Sequence, residues 1–106
     1  MREYLKFYID GQWVDPIEYT TTNTTNPATE EVSGKIALGT AADVDRAVVA
    51  ARKAFKTWSK TTREERLAVF GRILEEYQKR STELASAITA EMGAPKGLAN
   101  GFHIGL

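Results

Sequence analysis

The chain has 106 residues, of which 42% are hydrophobic and 26% charged, and its 14 basic and 14 acidic residues cancel to zero net charge. This is the composition of one ordinary globular domain at most, and zero net charge predicts neither a nucleic-acid nor a membrane partner. Cysteine is absent, which excludes a disulfide, a thiolate nucleophile and a thiolate metal site and favours a cytoplasmic protein. The first residues lack a signal-peptide pattern, and no apolar run has the length of a membrane span.

The first predicted element in chain order is a β-hairpin. Residues 4–9 are rich in aromatic and β-branched side chains, Asp10-Gly11 follows, and residues 12–14 are extended again. An Asp-Gly pair between two such runs favours a type I′ turn, because both of its central positions need a positive φ.

A second hairpin-like unit is predicted further along the chain. Residues 19–25 include five threonines, whose branched Cβ atoms favour extended backbone and whose low hydrophobicity indicates an exposed or edge strand. The bend at Asn26-Pro27 comes next, and residues 32–38 form another extended run. The bend is therefore interpreted as the corner of this unit.

Helices are predicted from Gly39 onward. Apolar residues recur at helical spacing from about 41 to 57. Thr40 and Asp43 fit a capping box at the start of this helix, and Thr62 and Glu65 fit another at the start of the next.

A third helix is predicted to begin near Ser81 and to end at Gly93, a residue suited to the left-handed conformation that often closes a helix. Pro95 is then expected to open a further helix. The resulting class is α+β, with two β-hairpin-like units followed by two to three helices. The apolar stripes predict buried side chains that contact each other in part, namely Phe55, Trp58, Leu67, Phe70, Ile73 and Leu84.

No catalytic constellation is found by pattern alone. Residues 33–40 resemble a phosphate-binding loop only briefly, because Thr40 occupies the position where the loop needs lysine. His103 is the single histidine, and a lone histidine without a partner in sequence is interpreted as structural or exposed. Glycines at 93, 97, 101 and 105 would form a bare helical stripe, which we interpret as weakly stabilised helix.

Several short motifs, each loose by itself, occur in an order and spacing that resemble one enzyme superfamily. The segment FYIDGQWV at 7–14 resembles the opening hairpin of the aldehyde dehydrogenases. The segment NPATEEV at 26–32 resembles their Asn-Pro-Ala-Thr-Gly-Glu-Val turn. The resemblance continues to Pro95 through GTAADVDRAV at 39–48, AARKAF at 50–55, Trp58, REERL at 63–67, ELA at 83–85 and EMGAP at 91–95.

This resemblance implies the activity of a much larger enzyme. Members of the superfamily oxidise an aldehyde to a carboxylic acid, or acylate coenzyme A, using NAD or NADP, a cysteine that forms a thiohemiacetal, and a glutamate-assisted water. Their cysteine, glutamate and glycine-rich cofactor turn lie downstream of this segment, so no catalytic or cofactor-binding residue is carried over. The chain alone is expected to be inactive, and its partners are the remainder of the same polypeptide, an aldehyde substrate and further copies in a homo-oligomer.

The resemblance also implies the domain organisation. Residues 1–106 are expected to be the N-terminal portion of the region around a Rossmann-like cofactor domain. Residues 1–39 are expected to form strands and turns, 40–92 helices, and 93–106 the start of an incomplete helix. The absence of a closing signal at Leu106 leads to the expectation that the reading frame continues.

One site and one departure follow from the same resemblance. Many members bind a monovalent cation through backbone carbonyls before the Asn-Pro and an acidic side chain before the x-Gly-x-Pro, and those positions match Thr24, Thr25 and Glu91. Oxygen ligands of this kind suit a hard cation.

Glu30 stands where the family commonly has glycine at a positive φ, so a different turn geometry is expected.

A second function remains open for the chain. It would be a freestanding, non-catalytic binding or assembly module that associates through its exposed, threonine-rich strand edge. The mass of the native gene product distinguishes this module from the dehydrogenase.

Overall fold

The structure, a computed structural model, describes residues 2–105 and divides into two compact units. Unit 1 comprises residues 1–24 and 34–61, and unit 2 comprises residues 25–33 and 62–106.

The predicted β-hairpin is confirmed in unit 1. Strand β2 (Phe7–Ile9) pairs antiparallel with β3 (Gln12–Val14), and Phe7 lies opposite Val14. Asp10 and Gly11 have φ values of 53° and 77°, as a type I′ turn requires. The Asp-Gly pair therefore forms the turn that the sequence predicted.

The extended run at 4–9 is not one strand, which corrects the sequence-based prediction. The chain enters through a separate strand, β1 (Arg2–Tyr4), which belongs to another sheet. That sheet has the order β1-β5-β4, where β4 is Tyr19–Thr25 and β5 is Val32–Gly39. The short connection at 26–31 makes β4 and β5 antiparallel, whereas β1 is parallel to β5.

A glycine makes the close approach in this sheet possible. A Cβ atom on Gly34 would lie 2.8 Å from the carbonyl oxygen of Arg2 and 2.9 Å from the Oγ1 of Thr24. Gly34 also lies opposite Arg2 in the register of the parallel pair. A side chain at position 34 would therefore push β1 or β4 out of place.

The long helix α1 (Ala41–Trp58) completes unit 1, and Thr40 is its N-cap residue, as predicted. The Thr40 amide donates to the Asp43 carboxylate at 3.4 Å, and the Asp43 amide donates to the Thr40 carbonyl at 3.1 Å. Asp43 thus satisfies an amide at the helix start that would otherwise lack a partner.

Unit 2 consists of the turn at 26–31 and the remaining helices. Helix α2 (Arg63–Lys79) has the predicted capping box, in which Thr62 and Glu65 exchange hydrogen bonds of 2.7 and 3.2 Å. Helix α3 (Ser81–Met92) ends at Gly93, whose φ is 69°. The short α4 (Lys96–Leu98) then runs into a π-helical segment, Ala99–His103.

After the π-helical segment, the Ile104 carbonyl accepts a hydrogen bond from the Tyr77 hydroxyl of α2 at 3.0 Å. The prediction about Leu106 lies outside the described residues, as does the environment of the His103 side chain. The predicted glycine stripe faces open space at Gly97 and Gly101, where an added Cβ would meet nothing within 4 Å. No helix within residues 2–105 combines the length and apolar character needed to cross a bilayer.

The predicted core is wrong for this chain. The six side chains expected to be buried are all exposed, with Phe55 at 59% and Phe70 at 66%. The buried apolar residues among those described are small: Ala37, Ala85, Ala94 and Ala99. The physical reason is that helical periodicity predicts which face is apolar, whereas burial also needs a second layer to cover that face.

Candidate cation site at the Asn-Pro turn

The turn at 26–31 is organised by hydrogen bonds to Asn26. The Asn26 amide donates to the Glu31 carbonyl at 2.9 Å, and the Asn26 carbonyl accepts from the Glu30 amide at 2.8 Å. The Asn26 side-chain Oδ1 accepts from the Ala28 amide at 2.9 Å, which is an Asx turn. Because three groups of one residue are engaged, the backbone leaving β4 has a defined direction.

Glu30 adopts the backbone conformation that a glycine would take. Its φ is 61°, and it is one of two non-glycine residues with a positive φ in the described part of the chain. The expectation that glutamate would change the turn geometry is therefore wrong. The left-handed conformation is retained, at the steric cost that a Cβ atom brings there.

Within unit 2, the turn packs against the end of α3. A Cβ atom on Gly93 would lie 3.1 Å from the Cγ of Pro27, so the proline ring occupies the space beside this glycine. Thr25 is two residues before Pro27, and Glu91 is two residues before Gly93. The segments that carry Thr25 and Glu91 consequently meet at this contact.

The two residues of unit 2 that were predicted as cation ligands present suitable oxygens. Glu91 is exposed, and its carboxylate forms no ion pair with the other residues of the range 2–105. Thr25, also exposed, ends β4 directly before Asn26. A carbonyl oxygen and a carboxylate oxygen are ligands that a hard cation prefers.

Thr24, the third predicted ligand, belongs to unit 1 and is half-buried. Its hydroxyl lies against Gly34, where the absence of a side chain leaves room for it. No three His, Asp or Glu side chains in the described range form a group able to hold a metal ion. The predicted cation site depends instead on main-chain oxygens and the single carboxylate of Glu91.

Sequence reasoning missed the only buried charge among the described residues, because it assigned Asp43 to capping alone. The Asp43 carboxylate is 4% exposed and accepts from the Ile17 amide at 3.0 Å and from the Arg46 guanidinium at 3.2 Å, in addition to the Thr40 amide. Arg46 donates in turn to the Asp15 carbonyl at 2.9 Å. Asp43 therefore joins the loop after β3 to the start of α1.

Comparison with known proteins identifies the family. The sequence profile of the aldehyde dehydrogenase family matches residues 13–105. The chain belongs to this family.

Individual relatives agree with this assignment. The chain is 48% identical over 95 residues to a 3-succinoylsemialdehyde-pyridine dehydrogenase from a Pseudomonas species, a match that covers 90% of the chain and 20% of that protein. An aldehyde dehydrogenase structure from Bartonella henselae superposes on 99% of the chain with a TM-score of 0.96 and 43% identity, over 22% of its own length.

A mutant of aldehyde dehydrogenase C from Pseudomonas syringae, solved with NAD+ and octanal, is 51% identical with a TM-score of 0.91. That match covers 94% of the chain and 21% of the other protein. The chain thus spans about a fifth of the length of the relatives it matches. The α+β arrangement inferred from the sequence is the fold of the corresponding part of these enzymes.

Proposed function

We propose that the chain acts as the N-terminal portion of an NAD(P)-dependent aldehyde dehydrogenase that oxidises an aldehyde to a carboxylic acid. The observation that carries this proposal is the superposition of 99% of the chain on 22% of a known aldehyde dehydrogenase, at a TM-score of 0.96. A match that covers nearly all of this chain and only about a fifth of the other protein is expected for a segment of the larger enzyme.

NAD is the cofactor that the relatives support best. The Pseudomonas syringae relative and an aldehyde dehydrogenase from Mycobacterium tuberculosis, 36% identical with a TM-score of 0.88, were both solved with NAD+. NADP and coenzyme A remain alternatives within the proposal. The aldehyde is of unspecified type, because octanal and a pyridine-linked semialdehyde appear only in the names of the relatives.

In this proposal the chain provides structure and the remainder of the polypeptide provides the chemistry. The family's nucleophile is a cysteine, and this chain has none. The exposed apolar side chains of α1 and α2, among them Phe55 and Phe70, would pack against that remainder. Burying a large apolar side chain contributes roughly 1.5–3 kcal/mol, so each helix by itself offers the remainder a substantial apolar face to pack against.

The cation site forms part of the same proposal, with Thr24, Thr25 and Glu91 as its ligands in this chain. Two observations support it: the contact between Pro27 and Gly93, and a Glu91 carboxylate that forms no ion pair within residues 2–105. A bound monovalent cation would supply positive charge that holds the end of β4 and the end of α3 together. A homo-oligomeric assembly also belongs to the proposal and rests on the family resemblance. A cytoplasmic location belongs to it as well and rests on the absence of cysteine.

Two protein samples test the proposed activity. The native polypeptide that carries this segment should reduce NAD+ in the presence of an aldehyde, followed by the absorbance of NADH. The purified 106-residue chain should give no such signal, because it has no thiol to form the thiohemiacetal. NAD+ reduction by the 106-residue chain, free of contaminating enzyme, would contradict the proposal.

The mass of the native product separates the two functions. A product several times heavier than 11.7 kDa, active on an aldehyde, supports the dehydrogenase. A native product of 11.7 kDa that assembles through the outer edge of β4 and has no activity supports the binding module instead.

A further inference from the structure

The peptide bond between Thr25 and Asn26 is held in one orientation by the turn that follows it. We infer that Asn26 is a positioning residue for the cation site and that it aims the Thr25 carbonyl oxygen at a hard monovalent cation. The inference rests on the proposed cation site and extends it to a residue that is not itself a ligand.

The direction of the Thr25 carbonyl follows from peptide geometry. A trans peptide is planar, and its N–H and C=O point in opposite directions. No cis peptide occurs in residues 2–105, and the Asn26 amide points at the Glu31 carbonyl, 2.9 Å away. The Thr25 carbonyl therefore points away from Glu31 and from the interior of the turn. Because this carbonyl points outward, its oxygen is oriented to bind a cation outside the turn.

The Asn26 side chain restricts the backbone that follows the Thr25–Asn26 peptide bond. Its Oδ1 accepts from the Ala28 amide at 2.9 Å, so the side chain closes a ring that restricts the backbone of Asn26 and Pro27. Alanine at position 26 has no acceptor and would release this ring. Aspartate would keep it, since a carboxylate oxygen can accept the same hydrogen bond.

Pro27 makes the turn rigid and places it against the end of α3. Pro27 has a fixed φ, and its ring lies beside Gly93, where a Cβ atom on the glycine would be 3.1 Å from the proline Cγ. Gly93 directly follows the helix whose last turn carries Glu91. Asn26 and Pro27 together thus set the Thr25 carbonyl relative to the end of α3, as an outer-shell residue sets a metal ligand.

Sodium affinity tests this inference in the native polypeptide that carries the segment. Sodium would be titrated and followed by sodium NMR relaxation, with urea unfolding measured alongside. Asn26→Ala should weaken binding about 10- to 100-fold, the usual effect of losing an outer-shell partner. Asn26→Asp should restore affinity to the wild-type value or better. Glu91→Gln should weaken binding as the loss of a direct ligand.

A matched variant separates positioning from general destabilisation. Thr62→Ala removes the hydroxyl that accepts from the Glu65 amide at the start of α2, which lowers stability in the same unit without touching the turn. It should leave sodium affinity unchanged.

If Glu91→Gln weakens sodium binding, the cation site stands. Any one of three results then overturns the inference: unchanged affinity in Asn26→Ala, no rescue by Asn26→Asp, or an equal loss of affinity in Thr62→Ala. Absence of saturable sodium binding by the wild-type protein overturns the cation site and the inference together.

Discussion

Pro27 fills the space into which a side chain at position 93 would project: a Cβ atom on Gly93 would stand 3.1 Å from the proline Cγ. Gly93 also has a φ of 69°, where a side chain is strained regardless of its neighbours. Two independent constraints therefore require glycine at the end of α3, and both concern the proposed cation site because the turn rests on this residue.

Gly93→Ala is expected to destabilise the protein by about 1–2 kcal/mol from the backbone conformation alone, with a further loss from the contact with Pro27. Urea unfolding measures the change. Gly71→Ala is the matched control, because Gly71 lies inside α2 and an added Cβ meets nothing within 4 Å. That substitution should stabilise by about 0.5–1 kcal/mol. Equal effects in the two variants would contradict the constraint at position 93.

Glu30→Gly is expected to stabilise the protein by about 0.5–1 kcal/mol. Removing the Cβ atom relieves roughly 1–2 kcal/mol of strain at a φ of 61°, and the greater freedom of glycine in the unfolded chain offsets part of this gain. The melting temperature should rise accordingly. The neighbouring Glu31→Gly, at a position without a positive φ, should instead destabilise. A loss of stability in Glu30→Gly would mean that the glutamate side chain makes a contribution larger than the strain.

Asp43→Asn is expected to cost about 2–3 kcal/mol, because hydrogen bonds to a buried charged group contribute more than neutral ones. The Ile17 and Thr40 amides donate to different oxygens of the carboxylate, and the amide would replace one of these acceptors with an N–H donor, so one of the two hydrogen bonds would be lost. It would also leave Arg46 without its counter-charge, a loss that water moderates because Arg46 is about one third exposed.

Asp45→Asn serves as the control for the buried carboxylate. Asp45 is exposed on the same helix, and its substitution should change the free energy of unfolding by less than about 0.5 kcal/mol. Similar losses for the two variants in urea titrations would show that the hydrogen bonds of Asp43 add little to stability.

Local chemistry made the turns and helix ends predictable from sequence. The Asp10-Gly11 turn, the Thr62 capping box and the left-handed Gly93 each depend on a few adjacent residues, and each is confirmed. The β1 strand was missed because its partner, β5, is about thirty residues away in the chain and only the parallel register of Arg2 with Gly34 reveals it. The capping role of Asp43 was predictable, whereas its bonds to Ile17 and Arg46 were not, since the first of these crosses 26 positions of sequence.

Burial was the property that the sequence could not determine. The stripe that contains Phe70 was assigned to the correct helix, and yet the side chain is 66% exposed in this chain. Amphipathic periodicity is the same whether the covering layer comes from the same segment or from elsewhere. The predicted ligands Thr24, Thr25 and Glu91 also remain a proposal. Two of them would bind through backbone carbonyls, and a carbonyl has no sequence signature of its own.

The effect of Phe70→Ala should therefore depend on what surrounds the segment. In the 106-residue chain the side chain is exposed, so the free energy of unfolding should change by less than about 0.5 kcal/mol. In the native polypeptide, where we propose that the α2 face is covered, the same substitution should cost about 3–5 kcal/mol. Arg72→Ala, on the same helix and also exposed, should have a small effect in both settings. A small effect of Phe70→Ala in the native polypeptide would mean that this face stays uncovered, and the proposed packing against the remainder of the enzyme would be wrong.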